Sequence, residues 1–178
     1  MRTIVSRLVP DRPFPPYAYL PGRFPHPTRS PQGHSFGLSL TGYPSPSPAL
    51  TVKGFRWGID LFNFGYYWEA HEAWEEVWKS AASPSWQRDL LKGLILLCAA
   101  GVKIRESKPA ATKRHATRAA DMFSRVEKTG VDLSAWIGLS AGELQRHAVH
   151  VAAVEMRAPV GAKPAWVFHF VLGQHLLT

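Results

Sequence analysis

The sequence predicts an all-α protein, a compact bundle of about four to five helices with an extended Pro-rich N-terminal arm. Three observations carry that prediction. Asp60 to Lys79 place apolar side chains at helical spacing. Residues 86–105 are apolar nearly all round. Eleven of the fifteen prolines fall in residues 1–50, where each fixes φ and removes a backbone donor, so that segment is not helical.

The arm, residues 1–54, holds Phe14, Tyr17, Tyr19, Leu20, Phe24 and Phe36. That apolar density predicts an extended segment lying over the domain surface, with ordered turns at PPYAYLPGRFPHP and SPQGHSFG. Residues 41–51 read as a linker. The helical domain spans 55–157, and a C-terminal extended tail follows over 158–178.

The first helix is expected over 55–79, with Ile59 as a later start. At 100° per residue, Phe62, Tyr66, Ala70, Ala73, Trp74, Val77 and Trp78 share one apolar arc. Ser85 suits an N-cap for the second helix, 86–105, whose stripe of Leu91, Leu94, Ile95, Cys98 and Val102 marks it as central. Gly93 and Gly101 fit close approach of neighbouring helices. Ser107 and Pro109 open a third helix over 109–127, with Ala116, Ala119, Phe123 and Val126 inside and Lys113, Arg114, Arg118 and Arg125 outside; Gly130 ends it. A short piece is expected at 132–138. Ser140 and Glu143 form a capping box for a last helix over 141–157. The apolar tail 165–173 suits one strand or an extended segment packed on the bundle.

Composition narrows the classes. At 178 residues and 46% apolar, the chain fits one globular domain. It has no apolar run of membrane-spanning length and no signal-peptide core, so a cytoplasmic protein is expected. The single cysteine, Cys98, allows no internal disulfide and suits a core thiol. The net charge of +8 is uneven: residues 1–60 carry seven Lys/Arg against two Asp. These cations stand singly among prolines, which favours a solvated basic surface over a nucleic-acid site. No phosphate-cradling glycine loop, nucleophile elbow or cysteine cluster is present.

The chemistry concentrates in Glu69, His71, Glu72, Glu75 and Glu76. His71 and Glu75 are one turn apart, so imidazole and carboxylate can chelate one zinc, iron or manganese ion. HEAWE at 71–75 compares with the H-E-x-x-H signature, with Glu75 replacing the second histidine and Glu72 in the place of the general base. Glu69 is the nearest third ligand by type, and His26, His34 and His115 are further candidates. Lys103 is a candidate partner for Glu69 or Glu72. His147 and His150 are also spaced to chelate, but Arg146 beside them disfavours it. Trp68 projects to the polar side and suits a contact with the arm or another subunit. A second reading makes the Glu/His cluster a structural hydrogen-bond network in a non-enzymatic helical interaction module.

FNFGYYWEAHEAWEEVW, then KGLILLCAAGVKIRE, then the helix bearing His115 and Arg118, resemble the bacterial and archaeal family called domain of unknown function 309. PPYAYLPGRFPHPTRSPQGHSFG resembles the arm of its longer members, so the resemblance covers roughly residues 13–127. It implies an all-helical bundle, and the label attached to the family implies a metal-dependent hydrolase. One departure stands out: members often carry glutamine where this chain has Leu96, on a stripe with Lys92 and Lys103. The expected partners are a small molecule or a protein, with a homo-oligomer as a further expectation, and neither nucleic acid nor membrane.

Overall fold

The apolar stretch that opens the helical region folds as two helices, not one. The computed structural model describes residues 6–37, 53–155 and 163–173. Helix α1 spans Lys53–Asn63 and α2 spans Tyr67–Ser80. The single helix expected over 55–79 is therefore broken, and its start precedes both 55 and Ile59. The break is a Schellman motif. Gly65 takes φ +84°, its N–H bonds Phe62 O at 3.1 Å, and Tyr66 N–H reaches back to Leu61 O at 2.8 Å. Those bonds satisfy the last carbonyls of α1 and let the chain restart as α2.

The later helices follow their sequence signals closely. Helix α3 spans Trp86–Arg105, and the Ser85 hydroxyl accepts from Arg88 N–H at 3.2 Å. Helix α4 spans Pro109–Glu127, α5 Ser134–Ile137 and α6 Ala141–Ala153. The α6 capping box is formed on both sides by Ser140 and Glu143. That helix ends at Ala153, short of the expected 157, and residues 156–162 lie outside the described segments. The linker expected at 41–51 also lies outside them.

Helix α3 lies between α2 and α4, and α4 also packs on α6. Its glycines permit this. A Cβ at Gly93 would stand 2.5 Å from the Phe123 ring of α4, and one at Gly101 would stand 2.8 Å from the Tyr67 ring of α2. Cys98 is buried among these helices. Helix α3 ends in a second Schellman motif, with Ser107 N–H on Ile104 O at 3.0 Å and Lys108 N–H on Lys103 O at 2.9 Å. Here the left-handed position is held by a serine, Ser107, at φ 57°. Pro109 is the first helical residue of α4, and Lys108, not Ser107, is its N-cap.

The arm and the tail each contribute side chains to the core. Val9, Ala18 and Leu20 join the same apolar cluster as Val167, Phe168, Phe170 and Leu172. Among the described residues both segments lack helix and strand, so the tail is the extended segment of the two forms expected for it. Each is held by polar side chains of α1. The Asp60 carboxylate accepts Leu8 N–H and Val9 N–H, each at 2.8 Å. The Asn63 amide donates to Leu172 O at 2.8 Å and accepts Leu172 N–H at 2.9 Å. Phe14 stacks on Trp57 and Tyr66 at centroid distances of 5.5 and 5.0 Å. Phe168 stacks on Phe62 at 5.3 Å.

Two outcomes follow. Gly65→Ala forces a left-handed alanine whose Cβ meets the Ala165 backbone at 2.9–3.0 Å; urea unfolding should show a loss of about 2 kcal/mol or more. Ser107→Gly relieves the non-glycine left-handed residue, and the same measurement should show a gain of about 0.5–1 kcal/mol.

Candidate functional site

The register of α2 divides its charged residues between the core and the surface. Glu69 points inward and is 6% exposed. Its Oε1 accepts Tyr19 N–H at 2.8 Å and lies 3.3 Å from His34 Nε2. The other nitrogen of His34 meets Ser35 Oγ at 2.9 Å. Glu69 Oε2 is buried and has no hydrogen-bond partner. Arg105 is nearby and buried: desolvation pulls its pKa down, while the charge of Glu69, then Tyr67, pushes it back up. Its guanidinium donates to Lys163 O at 3.2 Å. Glu69 thus holds the arm and Arg105 holds the tail.

His71, Glu72 and Glu75 point the other way and are half-buried. Each offers one ligating atom within 4.8 Å of the others, and His71 Nδ1 lies 3.3 Å from Glu72 Oε1. One nitrogen and two carboxylate oxygens form a donor set that zinc, iron and manganese all accept. Ligands about 2.1 Å from a tetrahedral ion stand about 3.4 Å apart, so the three groups close on an ion by rotamer adjustments of about 1 Å. With His71 and Glu72 side chains 29% and 30% exposed, that adjustment is open to them.

The structure brings together three of the four residues expected on α2 and separates Glu69, whose carboxylate is occupied by the arm. Glu72 joins His71 and Glu75 directly. His34 stands with Glu69. His26 sits edge-on to Trp68 at 5.4 Å, with Tyr19 edge-on to the same indole at 5.0 Å, so Trp68 contacts the arm. His26 Nδ1 accepts from Thr28 N–H at 3.4 Å and Arg29 N–H at 3.3 Å, which leaves the proton of the neutral ring on Nε2. His147 stacks on Phe170 at 4.1 Å.

Helix α3 packs against α2. Lys92 Nζ stands 5.2 Å from the Trp78 ring and the Arg88 guanidinium 3.8 Å from it. Helices α2 and α3 run antiparallel through the short 81–85 connection. Four residues forward from Lys92 therefore match four residues back from Trp78, and Leu96 comes level with Trp74 and Glu75. Further along, Lys103 pairs with Glu106, which Lys108 also holds at 2.7 Å. Burial pushes the Glu106 carboxyl up, but the two lysines outweigh it and hold it below its ordinary value. On α4, His115 has its pKa lowered by burial first, then by the charges of Arg114, Lys103, Arg118 and His71.

Sequence reasoning missed Asp60, Asn63 and Arg105. All three are polar residues buried on otherwise apolar helix faces, and that mismatch is the signal that marks them. Burial pushes the Asp60 carboxyl up from 3.8, against the Leu8 and Val9 N–H groups and Arg7, which pull it down.

With this geometry in view, a family model described as Domain of unknown function (DUF309) matches residues 55–115. The match is a minority of the chain; it takes in α2, α3 and nearly all of α1, and ends in α4. Glu69, His71, Glu72, Glu75, Lys103 and His115 lie inside it, whereas His26 and His34 lie outside. No curated protein matches the chain, and no solved structure does. No helix among the described residues is long and apolar enough to cross a membrane.

A pH dependence follows from the histidines. Burial lowers both His115 and His147 from 6.5, so the native state binds their protons less readily than the unfolded chain does. Stability therefore falls as pH drops below about 6.5. Urea unfolding at pH 7.5 and 5.5 should show that drop, and His147→Gln should make it shallower.

Proposed function

We propose that this chain is a metal-binding helical protein with hydrolase chemistry, its divalent zinc, iron or manganese held by His71, Glu72 and Glu75. The observation that carries this reading is the convergence of one imidazole and two carboxylates on one half-buried face of α2. Three protein ligands leave a coordination position for water or substrate, as in catalytic rather than structural sites. A bound divalent ion would supply Lewis acidity and a water ionising near pH 7. The two carboxylates balance the ion's charge, and the His71 and Glu75 side chains, one helical turn apart, fix its place against the rigid α2–α3 pair. The trio rests on a helix whose inner face is locked by buried Trp74, whose indole N–H donates to Phe55 O at 3.1 Å.

For Glu69 the other reading, a structural network, is favoured by its bonds to Tyr19 and His34. One experiment separates the two roles. Elemental analysis after loading and desalting should find one equivalent of metal in the parent protein. It should find none in His71→Ala or Glu75→Ala, and a full equivalent in Glu69→Ala. Glu69→Ala should instead lose about 1–3 kcal/mol of stability, because it strands the buried Tyr19 N–H. Loss of metal in Glu69→Ala at unchanged stability would reverse the assignment, and absence of metal from the parent protein would remove it.

A further inference from the structure

Helix α4 packs on α3 and α6 through its inner stripe and turns a row of cations outward. Arg114, Arg118 and Arg125 are exposed and share one stripe with Asp121. Lys113 and Lys128, also exposed, flank that stripe. Among the described residues none of these five cations makes an ion pair. Asp121 is the one carboxylate on the face. Glu127, the other exposed acid of α4, is turned toward α6, where a Cβ at Gly142 would stand 3.1 Å from its Oε1. Five cations against one carboxylate leave the face at a net +4. Like charges one turn apart destabilise a helix, so the stability of α4 does not account for the row.

The length and composition of the face select a partner. The row runs about 16 Å from Arg114 to Arg125 and about 22 Å from Lys113 to Lys128. A linear polyanion matches that extent, and duplex DNA presents roughly ten phosphates over 16 Å. An α-helix with its side chains is about 10–12 Å across, which suits the B-form major groove of about 12 Å. The A-form groove of duplex RNA is deep, narrow and closed to side chains. Single strands are held on aromatic platforms, and the one aromatic residue of α4, Phe123, is buried. A lipid surface calls for large apolar residues beside the cations, and none of the exposed ones lies on α4. We propose that this face binds double-stranded DNA through its phosphates, with Arg114, Arg118 and Arg125 as the central contacts and Lys113 and Lys128 at the ends. The net charge of +8 on the chain draws DNA in the same direction. The cations of the arm stand singly and gave no such expectation; those of α4 recur along one helix face. The inference is independent of the metal centre on α2.

The test uses the full chain, a chelator to keep metal away, and a short labelled DNA duplex of mixed sequence. Fluorescence anisotropy follows binding between about 50 and 200 mM salt. The logarithm of the affinity should fall against the logarithm of salt with a slope of about −4, as four to five phosphates are neutralised. Arg114→Ala combined with Arg118→Ala should flatten that slope by about two and weaken binding about tenfold or more at the lower salt. The melting temperature should not fall, because both side chains are exposed. Asp121→Asn should tighten binding. Arg56→Ala removes one exposed cation from α1 and should leave the slope as it is. A flat salt dependence overturns the proposal, and so does a slope that Arg56→Ala flattens as much per charge as the double variant. Tighter binding of a single strand or an RNA duplex also overturns it. Displacement of the duplex by polyglutamate at equal charge would give the face to an acidic protein instead.

Discussion

A chain segment buried without helix or strand can match only part of its backbone N–H and C=O groups through its own turns. That constraint governs this molecule, because two such segments, the arm and the tail, enter the core. The bundle answers it with polar side chains placed where a helix would ordinarily be apolar. The Asp60 carboxylate takes two successive N–H groups of the arm, and the Asn63 amide matches both backbone groups of Leu172. Glu69 takes Tyr19 N–H one helix later. The apolar packing of Phe14, Leu20, Phe168 and Leu172 depends on these bonds, since those side chains cannot be buried without their backbone.

The same requirement explains why the charged cluster of α2 has two characters. The inner carboxylate, Glu69, is committed to the architecture, and Glu72 and Glu75 on the outer side are half-buried. The helix turns Glu69 toward the arm, while His71, Glu72 and Glu75 converge on one half-buried face. One short sequence therefore carries both a structural anchor and a candidate metal centre, and residue type alone does not separate them.

How much of this was legible in the sequence varied with the kind of interaction. Helices α3 and α4 were readable to the residue because their signals are local: Ser85 as a cap, Pro109 at a first turn, and an apolar stripe at a fixed period. The break at Gly65 was missed because the apolar period continues across it from Phe62 to Tyr66 and Ala70, and the motif that stops α1 depends on one glycine in a left-handed conformation. Of the site, the i,i+4 pair of His71 and Glu75 was plain from spacing. The capture of Glu69 by Tyr19 and His34 was not, because it joins residues 50 and 35 positions apart across a segment with no periodicity. The buried roles of Asp60 and Asn63 were hidden for the same reason.

The tethering of the arm and tail also imposes a schedule on folding. The α2–α3 and α3–α4 pairs close through short connections, so they form early. The arm is made before α1, and its partner Asp60 lies 52 positions after Leu8. Asn63 waits for Leu172, 109 positions later. Until the tail is made, α1 keeps an uncovered apolar face and an unmatched amide. The nascent bundle is thus exposed to wrong association over the 109 positions between Asn63 and Leu172, and the tail is the piece that ends that exposure.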